Sequence, residues 1–144
     1  MTRDVPKPRT VLDTNVLLSA LGFGGPATER LWELAEEGEF DAFVSPWILE
    51  EFRRNLVVKA DFLPKEAIEM VKYVAEIADI VEPKRGVSVI RAKDSDNRIL
   101  ECALGAKADV IVTGDLKHIR SLNFFEGIEI LTPREFMDKY FPRG

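Results

Sequence analysis

Four acids stand at places where a parallel α/β sheet gathers a site. Asp13 closes the apolar, β-branched run Thr10-Val11-Leu12. Asp115 closes a second run of the same kind, Val110 to Thr113. Asp96 opens the apolar helical stretch ahead of that second run, and Glu51 lies in the second turn of a helix opened by Ser45-Pro46. In open parallel sheets, ligands bind at the carboxyl edge of the strands. If the strands ending in Asp13 and Asp115 are neighbours, the four side chains converge there. Packed carboxylates repel and raise one another's pKa. A hard divalent cation bound through oxygen relieves that repulsion, and Mg2+ takes only one or two carboxylates directly while keeping several waters. An acid-only set of this kind suits metal-dependent phosphodiester hydrolysis, in which the metal lowers the pKa of water and steadies the leaving oxygen. Each acid alone also has a structural explanation. Asp13 and Asp115 can cap helices, one of Asp94 and Asp96 can belong to a capping cluster with Ser95, and Glu51 can be a surface charge beside Arg54 and Asn55. Two matching strand-end corners favour the site.

The elements that must position these acids alternate along the chain. Residues 1–8 contain two prolines and read as a flexible lead-in; 9–144 read as one domain. The first strand is Thr10 to Leu12, followed by a helix through Val16 to Leu21. Gly22 to Pro26 breaks the chain, and a helix from Ala27 to Glu37 is stopped by Gly38. Asp41 to Val44 is the second strand, followed by a helix to about Lys59. Pro64 to about Ala78 carries apolar residues at helical spacing. Asp79 to Glu82 is a short third strand, and Pro83 to Lys93 a basic loop. Asp94 to Asn97 caps a helix from Arg98 to Ala106. Val110 to Thr113 is the fourth strand, Leu116 to Ser121 a turn or short helix, and Ile128 to Leu131 the fifth strand. Thr132-Pro133-Arg134-Glu135 is a capping box opening the last helix, to about Tyr140. Strands alternating with helices predict a parallel sheet wrapped on both sides.

Composition narrows the chemistry. With 144 residues, 46% of them hydrophobic, the chain has enough apolar material for a proper core. No apolar run approaches the roughly 20 residues that span a bilayer, and the start has no signal-peptide core. A cytoplasmic protein with no membrane contact is expected. The single cysteine, Cys102, excludes an internal disulfide and reads as a buried hydrophobe. The single histidine, His118, excludes a His-rich zinc site. Gly22 to Pro26 lacks the Gly-Lys-Ser/Thr of a phosphate loop. A net charge of −5 argues against gripping nucleic acid by general basicity. It leaves room for acids gathered at a metal with basic residues around them.

Four stretches together resemble the motifs of the PIN-domain nucleases. Val11 to Leu17 (VLDTNVL) is similar to their opening motif. Ser45 to Phe52 (SPWILEEF) resembles the second, which selects Glu51 over Glu50. Asp94 to Ala103 resembles the third, with Asp96 at its key position, and Ile111 to Ile119 the last, with Asp115. The order and spacing cover Arg9 to about Phe136. The resemblance implies a three-layer α-β-α fold with a parallel five-stranded sheet in the order 3-2-1-4-5. It implies Mg2+- or Mn2+-dependent endoribonuclease activity, with Asp13, Glu51, Asp96 and Asp115 as metal-binding and catalytic residues. Asn15 and Thr113 would hold the carboxylates or a water, and Asp94 is an additional supporting acid. Among prokaryotic members it looks most like the toxins of toxin–antitoxin pairs (VapC-like), which implies an antitoxin partner and a homodimer. Candidate RNA contacts are Arg53, Arg54, Arg85, Arg91, Lys93, Lys117 and Arg120. Phe23, Trp32 and Trp47 are aromatics that could meet a partner, although Trp47 reads as core. The alternative is a non-catalytic RNA- or protein-binding module that keeps the fold. A receiver-like signalling domain fits poorly, because no acidic pair follows the first strand.

Overall fold

The computed structural model describes residues 6–83, 94–114 and 124–143. The expected Leu116 to Ser121 turn, nearly all of the basic loop and most of the lead-in lie outside them. Strand β1 (Arg9–Leu12) occupies the middle of the sheet, where its apolar residues are wholly buried. It pairs in parallel with β2 (Asp41–Val44) on one side and β4 (Val110–Val112) on the other. Strand β3 (Asp79–Ile80) adds to β2, and β6 (Ile128–Leu131) to β4. The order is β3-β2-β1-β4-β6-β5. The expected fifth strand is β6, so the expected order holds.

Among the described residues the sheet has six strands, however, because β5 (Phe124–Phe125) pairs with β6 in antiparallel sense. Glu126 (φ 49°) and Gly127 (φ 83°) make the two-residue turn between them. Positive φ at both positions is the geometry that matches strand twist in a tight hairpin. A two-residue edge strand is too short to register as a periodic pattern.

The helices begin and end for local reasons. Helix α1 (Thr14–Leu18) widens into a π-helical turn over Ser19–Phe23, closed by Gly24 in the left-handed region. Helix α2 (Pro26–Glu36) starts on proline and ends before Gly38, whose φ of 73° continues no helix. Helix α3 (Pro46–Ala60) is capped by Ser45, whose hydroxyl accepts from the Ile48 N–H at 3.1 Å. Helix α4 (Pro64–Ile77) follows a short turn, and the Leu63 N–H donates to Glu66 at 2.8 Å. Helix α5 (Asp94–Ala106) begins four residues earlier than expected. Acids in a first turn complement the helix dipole, so the residues expected to precede the helix are its opening turn. Helix α6 (Pro133–Tyr140) carries the expected capping box, with Thr132 and Glu135 bonded reciprocally at 3.1 and 2.9 Å.

Helix α5 packs on β1 and β2, α3 touches α1, α4 and α5, and α6 lies against β6 and α2. The core contains Phe40, Phe52 and Phe136, all essentially inaccessible. Phe136 meets Phe40 edge to face at 5.1 Å. Trp32 is not the exposed aromatic considered from the sequence: it is 3% accessible, and its indole donates to the Tyr73 hydroxyl at 2.8 Å. That bond ties α2 to α4. Phe23 is exposed and Trp47 half-buried. No helix among the described residues is long and apolar enough to cross a membrane.

Truncating Phe136 to alanine should cost about 3–5 kcal/mol, the usual range for a buried aromatic. Phe124→Ser, at an exposed edge position, should change stability by less than about 0.5 kcal/mol. Urea unfolding of the two variants beside the wild type measures both.

Candidate active site

Asp13 sits at the corner between β1 and α1. Its N–H donates to the Val112 carbonyl at 3.1 Å, and its own carbonyl accepts from Val16 and Leu17. It therefore occupies the N-cap position of α1, yet its carboxylate makes no capping hydrogen bond. The carboxylate instead accepts from Thr113 Oγ1, whose distance to Oδ2 is 2.5 Å. Thr113 follows β4 and is fully buried. The side chain at this corner is thus held across two strands and does not cap its own helix.

A small pocket of about 60 Å3 opens beside it, lined by Asp13, Thr14, Asn15, Trp47, Glu51, Asp96 and Ile99. Asp13 and Asp96 are both more than nine-tenths buried. Thr14 Oγ1 is buried with no hydrogen-bond partner among the described residues. Asn15 is exposed at the rim. Glu51 is partly exposed and forms an ion pair with Arg54 one turn further along α3. Arg53 instead forks onto Glu50, at 3.0 and 2.5 Å, on the exposed side of the same helix. That pair holds the Glu50 carboxyl below its ordinary range.

Two pocket residues could have been found from helical spacing. Trp47 lies four residues before Glu51 and Ile99 three after Asp96, so each shares a helix face with its acid. Asn97 and Glu101 are also buried in α5, and Glu101 pairs with Arg98 at 3.1 Å. Nothing in their spacing marked them. Cys102 is fully buried, and burial pushes its thiol up to about 12, so it stays protonated and inert at neutral pH. Asp115, Arg85, Arg91, Lys93, Lys117 and Arg120 lie outside the described residues, as does the side chain of Asp94.

The oxygen-only set suits a hard cation such as Mg2+ or Mn2+ better than zinc, which favours nitrogen and sulfur. No three His, Cys, Asp or Glu side chains among the described residues form a ready-made ligand group. An arrangement of separated carboxylates with room for water is nonetheless what a reluctantly dehydrated ion such as Mg2+ accepts.

The model of the PIN domain family matches residues 9–117. The chain belongs to that family. An uncharacterized protein of Methanocaldococcus jannaschii, MJ1680, is 28% identical over 145 aligned residues, covering 93% of this chain and 92% of its own. Two solved structures share the fold. One is the crystal structure of VapBC2 from Rickettsia felis bound to a DNA fragment from their promoter. It matches at a TM-score of 0.63 and 13% identity, over 85% of this chain and 96% of the other. The second is VapBC-1 from nontypeable Haemophilus influenzae, with a TM-score of 0.63, 15% identity, and coverage of 88% and 98%.

Replacing Thr113 by valine removes the hydroxyl that donates to the buried Asp13 carboxylate. The expected loss of stability is about 1–3 kcal/mol. The loss should shrink markedly in an Asp13→Asn background, and denaturant unfolding of the double-mutant cycle measures that coupling.

Proposed function

We propose that this chain is a metal-dependent endoribonuclease and acts as the toxin of a toxin–antitoxin pair. The observation that carries the reading is the convergence of Asp13, Glu51 and Asp96 on one pocket at the carboxyl edge of the sheet. The Asp13 carboxylate there is committed to Thr113 and not to capping. Asp13, Glu51, Asp96 and Asp115 would hold Mg2+ or Mn2+. When bound, such an ion lowers the pKa of water and offsets phosphate charge. Thr113 orients Asp13, Asn15 stands at the rim to position a water or phosphate oxygen, and Asp94 adds charge nearby. Trp47 and Ile99 wall the pocket and limit its opening to solvent.

The VapBC structures that share the fold support an antitoxin as partner, and PIN membership supports nuclease chemistry. A cytoplasmic location and a homodimer complete the proposal. A non-catalytic binding module is the second reading, and the Glu51–Arg54 ion pair is the observation that favours it. In that case Arg54 substitutes for a cation at the pocket's mouth.

Incubation of a labelled single-stranded RNA with Mg2+, Mn2+ or EDTA separates the two. Cutting is expected with metal alone, and Asp13→Asn should lower it by on the order of a hundredfold or more. The variant's fold should persist, since the substitution relieves like-charge repulsion. Undiminished cutting by Asp13→Asn would contradict the assignment. Absence of cutting, with unchanged thermal stability on adding metal, would favour the binding module.

A further inference from the structure

A groove of about 1020 Å3 runs between α2 and α6, and none of the carboxylate pocket's residues lines it. Arg30 reaches it from α2, Arg134 from the first turn of α6, and Arg143 from just beyond α6. Among the described residues, Asp138 is the one acid in its lining. Three guanidiniums thus face one carboxylate, in a chain whose net charge is −5. Arg134 and Arg143 form no ion pair among the described residues. Arg30 is half exposed and shares Glu33 at 3.1 Å and Glu37 at 3.8 Å. Surface pairs of that kind are worth little. The first turns of α2 and α6 both line the groove, and the acids of those turns, Glu29 and Glu135, are not in its lining.

The groove has the second ingredient of a single-strand platform. Met137 and the half-buried Phe141 lie in the same lining. Aromatic and apolar surface between guanidiniums stacks bases while the cations hold the backbone. Its position is fixed by the sheet. Thr113, whose hydroxyl holds Asp13, donates its N–H to the Leu131 carbonyl at 2.9 Å. Thr132, the next residue, lines the groove. The groove therefore meets the same carboxyl edge as Asp13. It lies two strand spacings away, or about 10 Å.

We propose that this groove carries the backbone of single-stranded RNA beyond the carboxylate pocket, with Arg30, Arg134 and Arg143 as phosphate contacts and Phe141 as a stacking surface. The inference rests on the nuclease reading for its substrate. The sequence marked none of these residues as an RNA contact, because Arg30 and Arg134 are brought to one groove only by the packing of α2 on α6.

The test is equilibrium binding of a fluorescein-labelled single-stranded RNA in EDTA, across a range of salt. The full chain is compared with the Arg30→Ala, Arg134→Ala, Arg143→Ala triple variant. Losing three phosphate contacts should reduce the slope of log affinity against log salt by about 2 and weaken binding at least ~10-fold at low salt. A triple Arg→Lys variant should restore the slope, and unchanged thermal unfolding should confirm intact folds. Equal affinity and equal slope for wild type and alanine variant would overturn the groove assignment. So would loss of poly-glutamate binding with RNA binding intact, which would give the groove to an acidic protein segment. Manganese-dependent cutting of an RNA too short to reach the groove is read in parallel. If the groove assignment fails, that cutting remains in both proteins. If the nuclease reading fails, it is absent from the wild type itself.

Discussion

The parallel pairing of β1 with β4 is the constraint on which the rest of the structure depends. Val11 faces Ile111 and Leu12 faces Val112 in a ladder of wholly buried residues. Both faces of these strands are buried, as in parallel sheets covered on both sides, and the register is pinned at its ends, where the Asp13 N–H donates to the Val112 carbonyl at 3.1 Å and the Asp109 N–H to the Arg9 carbonyl at 2.7 Å. That register places Asp13 at the end of one strand beside Thr113 at the end of the other. Arg9 reinforces it from the opposite end, where its guanidinium donates to the Ala106 carbonyl at 3.0 and 2.8 Å and lies 4.4 Å from the Phe43 ring centre.

Glu51 and Asp96 reach that corner through capping rather than strand pairing. Strand β2 ends in Val44, and Ser45 caps α3 from the same sheet edge. Trp47 in the first turn of that helix and Glu51 four residues on share one face. Helix α5 opens with the Asp94-Ser95-Asp96-Asn97 stretch and lies against β1 and β2. Its first turn delivers Asp96 to the pocket. Burying carboxylates is costly unless something compensates them. The Thr113 hydroxyl does so for one oxygen of Asp13. Asp13 and Asp96 line one small pocket, where like charges repel and the proposed cation would be favoured.

Much of this was legible in the sequence, because local signals agree with the global fold. The bounds of β2 and β6 match the expected strands residue for residue. The capping box at Thr132 and the Gly38 stop of α2 fall where their residues place them. What was not legible is tertiary or very short. The β5 edge strand has only two residues. The opening of α5 was read as a cap, because Asp and Asn favour caps and first turns by related mechanisms. Trp32 could not be assigned to the interior without knowing that Tyr73, on a different helix, receives its N–H. The sequence marks of the site were sharper than those of the groove. Asp13 announces itself by ending a strand, whereas surface arginines carry no such punctuation.

The central claim is that the carboxylates of this corner act together as a cation site. Thermal unfolding of the full chain over a titration with Mn2+ tests it directly, with Asp13→Asn and Asp96→Asn beside it. A ligand that binds only the folded protein stabilises it progressively, by about 2.7 kcal/mol at a hundred times its dissociation constant. The account predicts a rising midpoint for the wild type and a flat one for both variants. A wild-type midpoint that does not move with Mn2+, or one that rises equally in the variants, would contradict it.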